Sequence, residues 1–140
     1  MRRFSALALL LALCVTAAPA RAADRLYDDL GGGPNIAKIV DAATARWLAD
    51  ERIKDTFDNI NIDRFKSRLV DQLCEVSGGP CHYKGRNMYL SHKGLHLDQA
   101  QFNALVEGLQ EGMDLCGVSF RTQNRLLAIL APMQRDIVTR

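Results

Sequence analysis

No segment of the 140-residue chain sustains the apolar/polar alternation of a half-buried strand, which excludes a sheet-based domain. There is no Gly-x-Ser-x-Gly elbow, phosphate-binding glycine loop or dinucleotide fingerprint, so the common serine-hydrolase, nucleotide and nicotinamide chemistries have no anchor. Charge of one sign is also missing: 18 basic residues face 16 acidic ones, and a formal +2 gives no footprint for nucleic acid. Internal repeats, linkers and low-complexity tracts are absent, so 48% hydrophobic and 24% charged content describe one globular domain. The longest apolar run, residues 4–15, is about a dozen residues and falls short of the ~20 that a membrane-spanning helix needs.

What that run does fit is a secretory leader. Met1-Arg2-Arg3 supplies a basic start, and Ala20-Arg21-Ala22 has the small-x-small form that a signal peptidase cleaves. Residues 1–22 are therefore expected to be a signal peptide and residues 23–140 the mature domain. The protein is then exported, most simply to the periplasm, and has no stable membrane insertion once cleaved. Leu13 precedes Cys14 where a lipoprotein signal carries a small residue, so lipid anchoring is not expected. Loss of Arg2, Arg3 and Arg21 leaves 15 basic against 16 acidic residues, a charge near −1. Three cysteines remain in an oxidising compartment: Cys74, Cys81 and Cys116. Cys74 and Cys81, separated by a flexible Val76-Ser77-Gly78-Gly79-Pro80 stretch, are the expected disulfide, worth about 2–3 kcal/mol for so short a loop.

Apolar spacing is helical nearly throughout, giving an all-α domain. A short helix near residues 25–30 ends at Gly31-Gly32-Gly33, a hinge after which Pro34 opens the next helix. That helix carries Ile36, Ile39, Val40, Ala43, Trp47 and Leu48, and a short connector follows through Ile53 and Phe57. Asn61 or Asp63 caps a third long segment with Ile62, Phe65, Leu69, Leu73 and Val76 on one side, stopping at Gly78-Gly79-Pro80. Asp98 caps a helix through Met113 that ends near Cys116-Gly117, and the last helix starts near Arg121 and is kinked by Pro132. Between them, residues 81–97 are loop-rich, with helix only around 87–92.

All three histidines fall in that irregular segment. His92 and His96 stand four apart like two zinc ligands on a helix face, but Gly94 weakens such a helix and no glutamate follows His92. Cys81-His82 has no cysteine three residues upstream, so the Cys-x-x-Cys-His of covalent haem attachment is absent. Met88 lies one turn before His92 and Leu95 just after it, giving an imidazole with apolar neighbours. Such a histidine can hold haem iron axially, or Met88 and Leu95 can simply be core. Carboxylates such as Asp28, Asp29, Glu107 and Glu111 read as solvated faces, and Cys116 as an inert thiol at a helix end.

The order and spacing of several short motifs resemble the truncated haemoglobins, specifically their first group. They are Leu26-Tyr27-x-x-Leu30-Gly31-Gly32, Leu48-Ala49-Asp50 followed by Phe57, Gly78-Gly79-Pro80, Tyr83-x-Gly85-Arg86-x-Met88-x-x-x-His92-x-Gly94, and Leu130-Ala131-Pro132-Met133. The resemblance spans essentially the whole mature chain. It implies a two-over-two helical sandwich around haem b, with His92 as the iron ligand, Phe57 packed on the porphyrin and Met88 a contact on the His92 side. It places Phe65 and Leu69 on the distal helix and Arg68 where a basic residue meets a haem propionate. It also implies a diatomic gas as ligand (oxygen, nitric oxide or carbon monoxide) and a reductase of unknown identity as partner.

This chain departs from the family at the distal side. Where many members carry a tyrosine and a glutamine that hydrogen-bond dioxygen, it has Thr44 and Leu69, so Thr44, Phe65 and Leu69 form a distal pocket with weak polar support. Gln72, three residues on, is expected to face the iron only in an altered helix, and neither His82 nor His96 is expected as a sixth ligand. The expectation is a reversible binder of a diatomic ligand rather than a catalyst, so no catalytic residue is assigned. Two alternatives stay open. One is a non-haem helical module, either structural or binding zinc or copper through His82, His92, His96 and Cys81. The other is a nitric-oxide-reactive haem enzyme, such as a dioxygenase.

Overall fold

The computed structural model describes residues 24–140, so the expected leader at residues 1–22 lies outside the described residues. Helix α1 (Asp24–Asp29) leads into α2 (Gly32–Ala49), then a 3-10 turn (Lys54–Phe57) and α3 (Ile62–Val76). The loop-rich part contains α4 (Met88–His92), followed by α5 (Gln99–Leu115) and α6 (Phe120–Leu130). A second 3-10 turn (Ala131–Met133) and α7 (Gln134–Ile137) close the chain. The pairs α2/α3 and α5/α6 form the two layers of a two-over-two sandwich. No described helix is long and apolar enough to cross a membrane.

Local chemistry sets the boundaries. Gly31 and Gly32 adopt φ of +88° and +69°, which an L side chain resists, and so reverse the chain between α1 and α2. Asn61, rather than Asp63, caps α3 by accepting from the Arg64 amide at 2.8 Å. Asp98 and Gln101 form a reciprocal capping box at the start of α5, at 2.8 and 3.0 Å. Pro132 does more than kink the last helix. It lacks an N–H and crowds the preceding turn, so α6 ends at Leu130 and the chain re-forms as a 3-10 turn and α7.

Helix α2 is the spine, packed chiefly on α5 and then on α3. Ile36, Ile39, Val40, Ala43 and Trp47 are buried along it, whereas Leu48 is 42% exposed. One residue beyond Trp47 is about 100° round the helix, so Leu48 leaves the stripe to which its apolarity had assigned it. Two glycines of α5 let the helices approach. A Cβ on Gly112 would lie 2.9 Å from both the Ile39 carbonyl oxygen and the Ala43 amide nitrogen. A Cβ on Gly108 would lie 2.4 Å from the Trp47 indole nitrogen, which donates to the Leu105 carbonyl at 2.9 Å.

Tyr27 ties the two glycine hinges together. Its hydroxyl accepts from the Gly33 amide at 2.8 Å, its own amide donates to the Ser77 carbonyl at 3.0 Å, and its ring lies where a Gly79 side chain would be. Beside it, Cys74 and Cys81 are joined in a disulfide with Cα atoms 5.7 Å apart, while Cys116 is free and half-buried. At the far end of α2, Arg52 pairs with Asp50 and Glu107 (both 2.6 Å), and Arg46 pairs with Glu111. Hydrogen bonds from Arg52 hold the Asp50 carboxyl down at about 2. A depressed carboxyl adds stability that is full above its unfolded value of 3.8 and is lost as pH falls from there through about 2.

Candidate functional site

His92 is the last residue of α4, a single short helix capped by Asn87, whose side chain accepts from the Leu90 amide at 2.8 Å. Beyond it the chain turns sharply, with φ of +84° at Gly94 and +51° at His96. The half-buried imidazole places Nδ1 2.7 Å from the Met88 carbonyl oxygen. A carbonyl only accepts, so in the neutral ring the proton sits on Nδ1 and Nε2 keeps its lone pair. That is the tautomer a metal needs, with its orientation fixed by the second nitrogen.

One stripe of α3 reaches α4 through Gln72. Phe65, Leu69 and Gln72 follow at steps of four and three, each half-buried. Phe65 stands edge-on to Phe57 at 5.4 Å, and Phe57 lies parallel to Trp47 at 6.2 Å. The aromatic end of the site is therefore fixed by three rings. Met88 and Met133, only partly buried and meeting at Gln72, give the site apolar side chains that a flat hydrophobic ligand can cover. Arg68, half-buried on α3, has no ion-pair partner among the described residues, so its guanidinium is available to a carboxylate. Thr44 is buried, and its hydroxyl donates to the Val40 carbonyl of its own helix at 2.7 Å.

One placement differs from expectation and another adds to it. Leu95 does not cover the imidazole; it is 45% exposed, because the Gly94 turn swings it outward, and Leu97 is buried instead. Gln72, expected to face the iron only in an altered helix, sits on a regular α3 and meets the His92 segment. On an unbroken α3 its carboxamide reaches the thioether sulfurs of Met88 (3.5 Å) and Met133 (3.7 Å). That reach was readable as the seven-residue step from Phe65. The hold of the C-terminus on this segment had no such signal: α7 packs on α4, and the Leu97 carbonyl accepts from the Thr139 (3.0 Å) and Arg140 (3.3 Å) amides.

The zinc or copper arrangement does not assemble. Cys81 spends its sulfur in the disulfide, His82 is exposed and 3.8 Å from Glu75, and His96 is exposed on the turn. No group of three histidine, cysteine or acidic side chains among the described residues is placed to hold a metal ion. A single imidazole with a free Nε2, apolar walls and an unpaired arginine is the donor set of an axial haem ligand.

Comparison with known proteins decides the family. A bacterial-like globin model matches residues 25–139. The chain belongs to that family. Within it, the globin is 33% identical to the group 1 truncated haemoglobin of Tetrahymena pyriformis over 113 residues, 81% of this chain and 93% of that one. It is 32% identical to that of Nostoc commune, covering 82% of this chain and 98% of the relative. The solved Fe(III) form of the Tetrahymena protein superposes with a TM-score of 0.79 over 82% of this globin and 98% of that chain. The 2/2 haemoglobin of a Synechococcus species, solved in the cyanomet state with covalently attached haem, gives 0.76 at 26% identity, covering 82% and 98%. The globin is thus a group 1 truncated haemoglobin, whose cofactor is haem b and whose ligands are diatomic gases. The residues around His92 fit that cofactor.

Proposed function

We propose that this globin is an exported haem b protein that binds a diatomic ligand reversibly, with the iron held by His92 and little polar support on the opposite side. The observation that carries the reading is the His92 Nδ1 to Met88 carbonyl bond, which presents Nε2 as a ligand. When bound, haem supplies a ferrous iron that takes up and releases small gases. Phe57, Phe65 and Met88 contact the ring in this reading, and Arg68 pairs with a propionate. A reductase that keeps the iron ferrous is an implied partner.

The distal side follows from what its side chains can donate. Leu69 has no donor, and the Thr44 hydroxyl has spent its single proton on Val40. Dioxygen gains most from a hydrogen-bond donor, whereas carbon monoxide and nitric oxide need less, so this pocket favours the latter and lets dioxygen leave quickly. Leu69→Gln restores one donor. It should slow dioxygen release about tenfold, the worth of one good hydrogen bond, while changing carbon monoxide release less. Stopped-flow dissociation rates check this; equal rates in both proteins contradict the apolar-pocket reading.

Export is supported by the leader-like residues 1–22 and by a disulfide that a reducing compartment would not maintain. Mass spectrometry of protein recovered from the periplasm should find a chain beginning at Ala23, with Cys116 alkylated and Cys74 and Cys81 protected until reduction. An intact Met1, or alkylation of Cys74 and Cys81 without reductant, contradicts it.

A further inference from the structure

We propose that Gln72 is a positioning residue for the iron-ligating imidazole: its carboxamide pins the short helix that carries His92, acting through Met88. The inference rests on His92 being the axial ligand.

Helix α4 has five residues and no fully buried side chain. A helix of that length does not hold itself, so its geometry is set by what it touches. On one side the C-terminus supports it, through α7 and the two amides on the Leu97 carbonyl. From the α3 side the directed contact is Gln72, whose Nε2 lies 3.5 Å from Met88 Sδ and 3.7 Å from Met133 Sδ. No other hydrogen-bond partner of the Gln72 side chain is found among the described residues.

A thioether accepts weakly, so each contact is small. Their value is directional, because one planar amide on a fifteen-residue helix sets two sulfurs on separate segments. Met88 is also the residue whose carbonyl accepts the hydrogen bond from His92 Nδ1. Bonds therefore run from the Gln72 amide to the Met88 side chain, and from the Met88 carbonyl to the imidazole. A shift of Met88 rotates the ring, and ring orientation governs the strength and direction of the bond that Nε2 makes. Leucine at 72 would fill the space with no donor, and glutamate would keep the shape while offering only acceptors to two sulfurs.

The test compares haem-loaded wild type with Q72L, Q72E and M88L. The readouts are the iron–histidine stretching band of the ferrous protein by resonance Raman, haem transfer to excess apomyoglobin, and hydrogen exchange at the Ser91 amide, which bonds to the Asn87 carbonyl within α4. All variants are expected to load one haem per chain. Both Gln72 variants and M88L should shift or broaden the band, lose haem about three- to tenfold faster and expose Ser91 to exchange. Exchange in α2 and α5 should not change, and M88L combined with Q72L should add little beyond either alone. Full loading with an unchanged band and unchanged Ser91 exchange overturns the proposal and leaves His92 standing. A wild type that takes up no haem overturns the reading of His92 and the positioning role with it, while Ser91 exchange still decides whether Gln72 pins α4.

Discussion

His92→Ala should abolish stoichiometric haem retention while leaving the helical fold in place. Perturbing a partner that only orients a metal ligand typically weakens binding by 10–100-fold, so removing the ligand itself should cost more than about 100-fold. The fold should survive because His92 is half-buried and outside the core built on α2 and α5. Haem titration gives the affinity, and far-ultraviolet circular dichroism reports the fold. Exogenous imidazole should restore part of the uptake by replacing Nε2. His82→Ala and His96→Ala, on exposed residues, should titrate as wild type. Retention by His92→Ala with loss in either control would move the iron ligand elsewhere in the loop.

Gly112→Val should produce the largest loss of stability. At this position α5 presses on the backbone of α2, and both 2.9 Å contacts are with main-chain atoms that cannot rotate away. The helices must separate, which uncovers packing around Ile39 and Ala43. Overpacking of this kind costs about 2–3 kcal/mol or more, roughly a 10 °C fall in Tm for a domain of this size. Gly108→Ala provides a graded comparison, because its nearest neighbour is the Trp47 indole, a side chain that can shift at the expense of its bond to Leu105. Thermal unfolding of the two variants should rank them in that order. A Gly112→Val protein that melts within about 2 °C of wild type would contradict this packing account.

Much of this was legible in the chain because local rules and tertiary demands agree. Caps at Asn61 and Asp98, and breaks at Gly31-Gly32 and Gly78-Gly79, stand where the residue chemistry puts them. His92 was singled out by the motif around it, and the structure adds that its Nδ1 bonds the Met88 carbonyl, which leaves Nε2 free. Leu48 and Leu95 were misplaced because apolarity says a residue favours burial, while helix rotation and the turn at Gly94 decide whether it obtains it. The support of α4 was legible only in part, through the seven-residue step from Phe65 to Gln72. A backbone carbonyl at Leu97 accepting from Thr139 and Arg140 leaves no mark in side-chain identity, and a glutamine between two thioethers follows no propensity rule. These long-range contacts depend on how α3, α4 and the C-terminus meet, and the sequence states that only through the fold as a whole.

The most direct test of the central claim is a haem titration of the purified protein by absorption spectroscopy, with the oxidised protein then reduced under carbon monoxide. The account predicts saturation at one haem per chain, a sharp Soret band and a clean shift on adding the gas. Unsaturable uptake with a broad band and no carbonyl shift would mean that the globin fold is kept here without its cofactor.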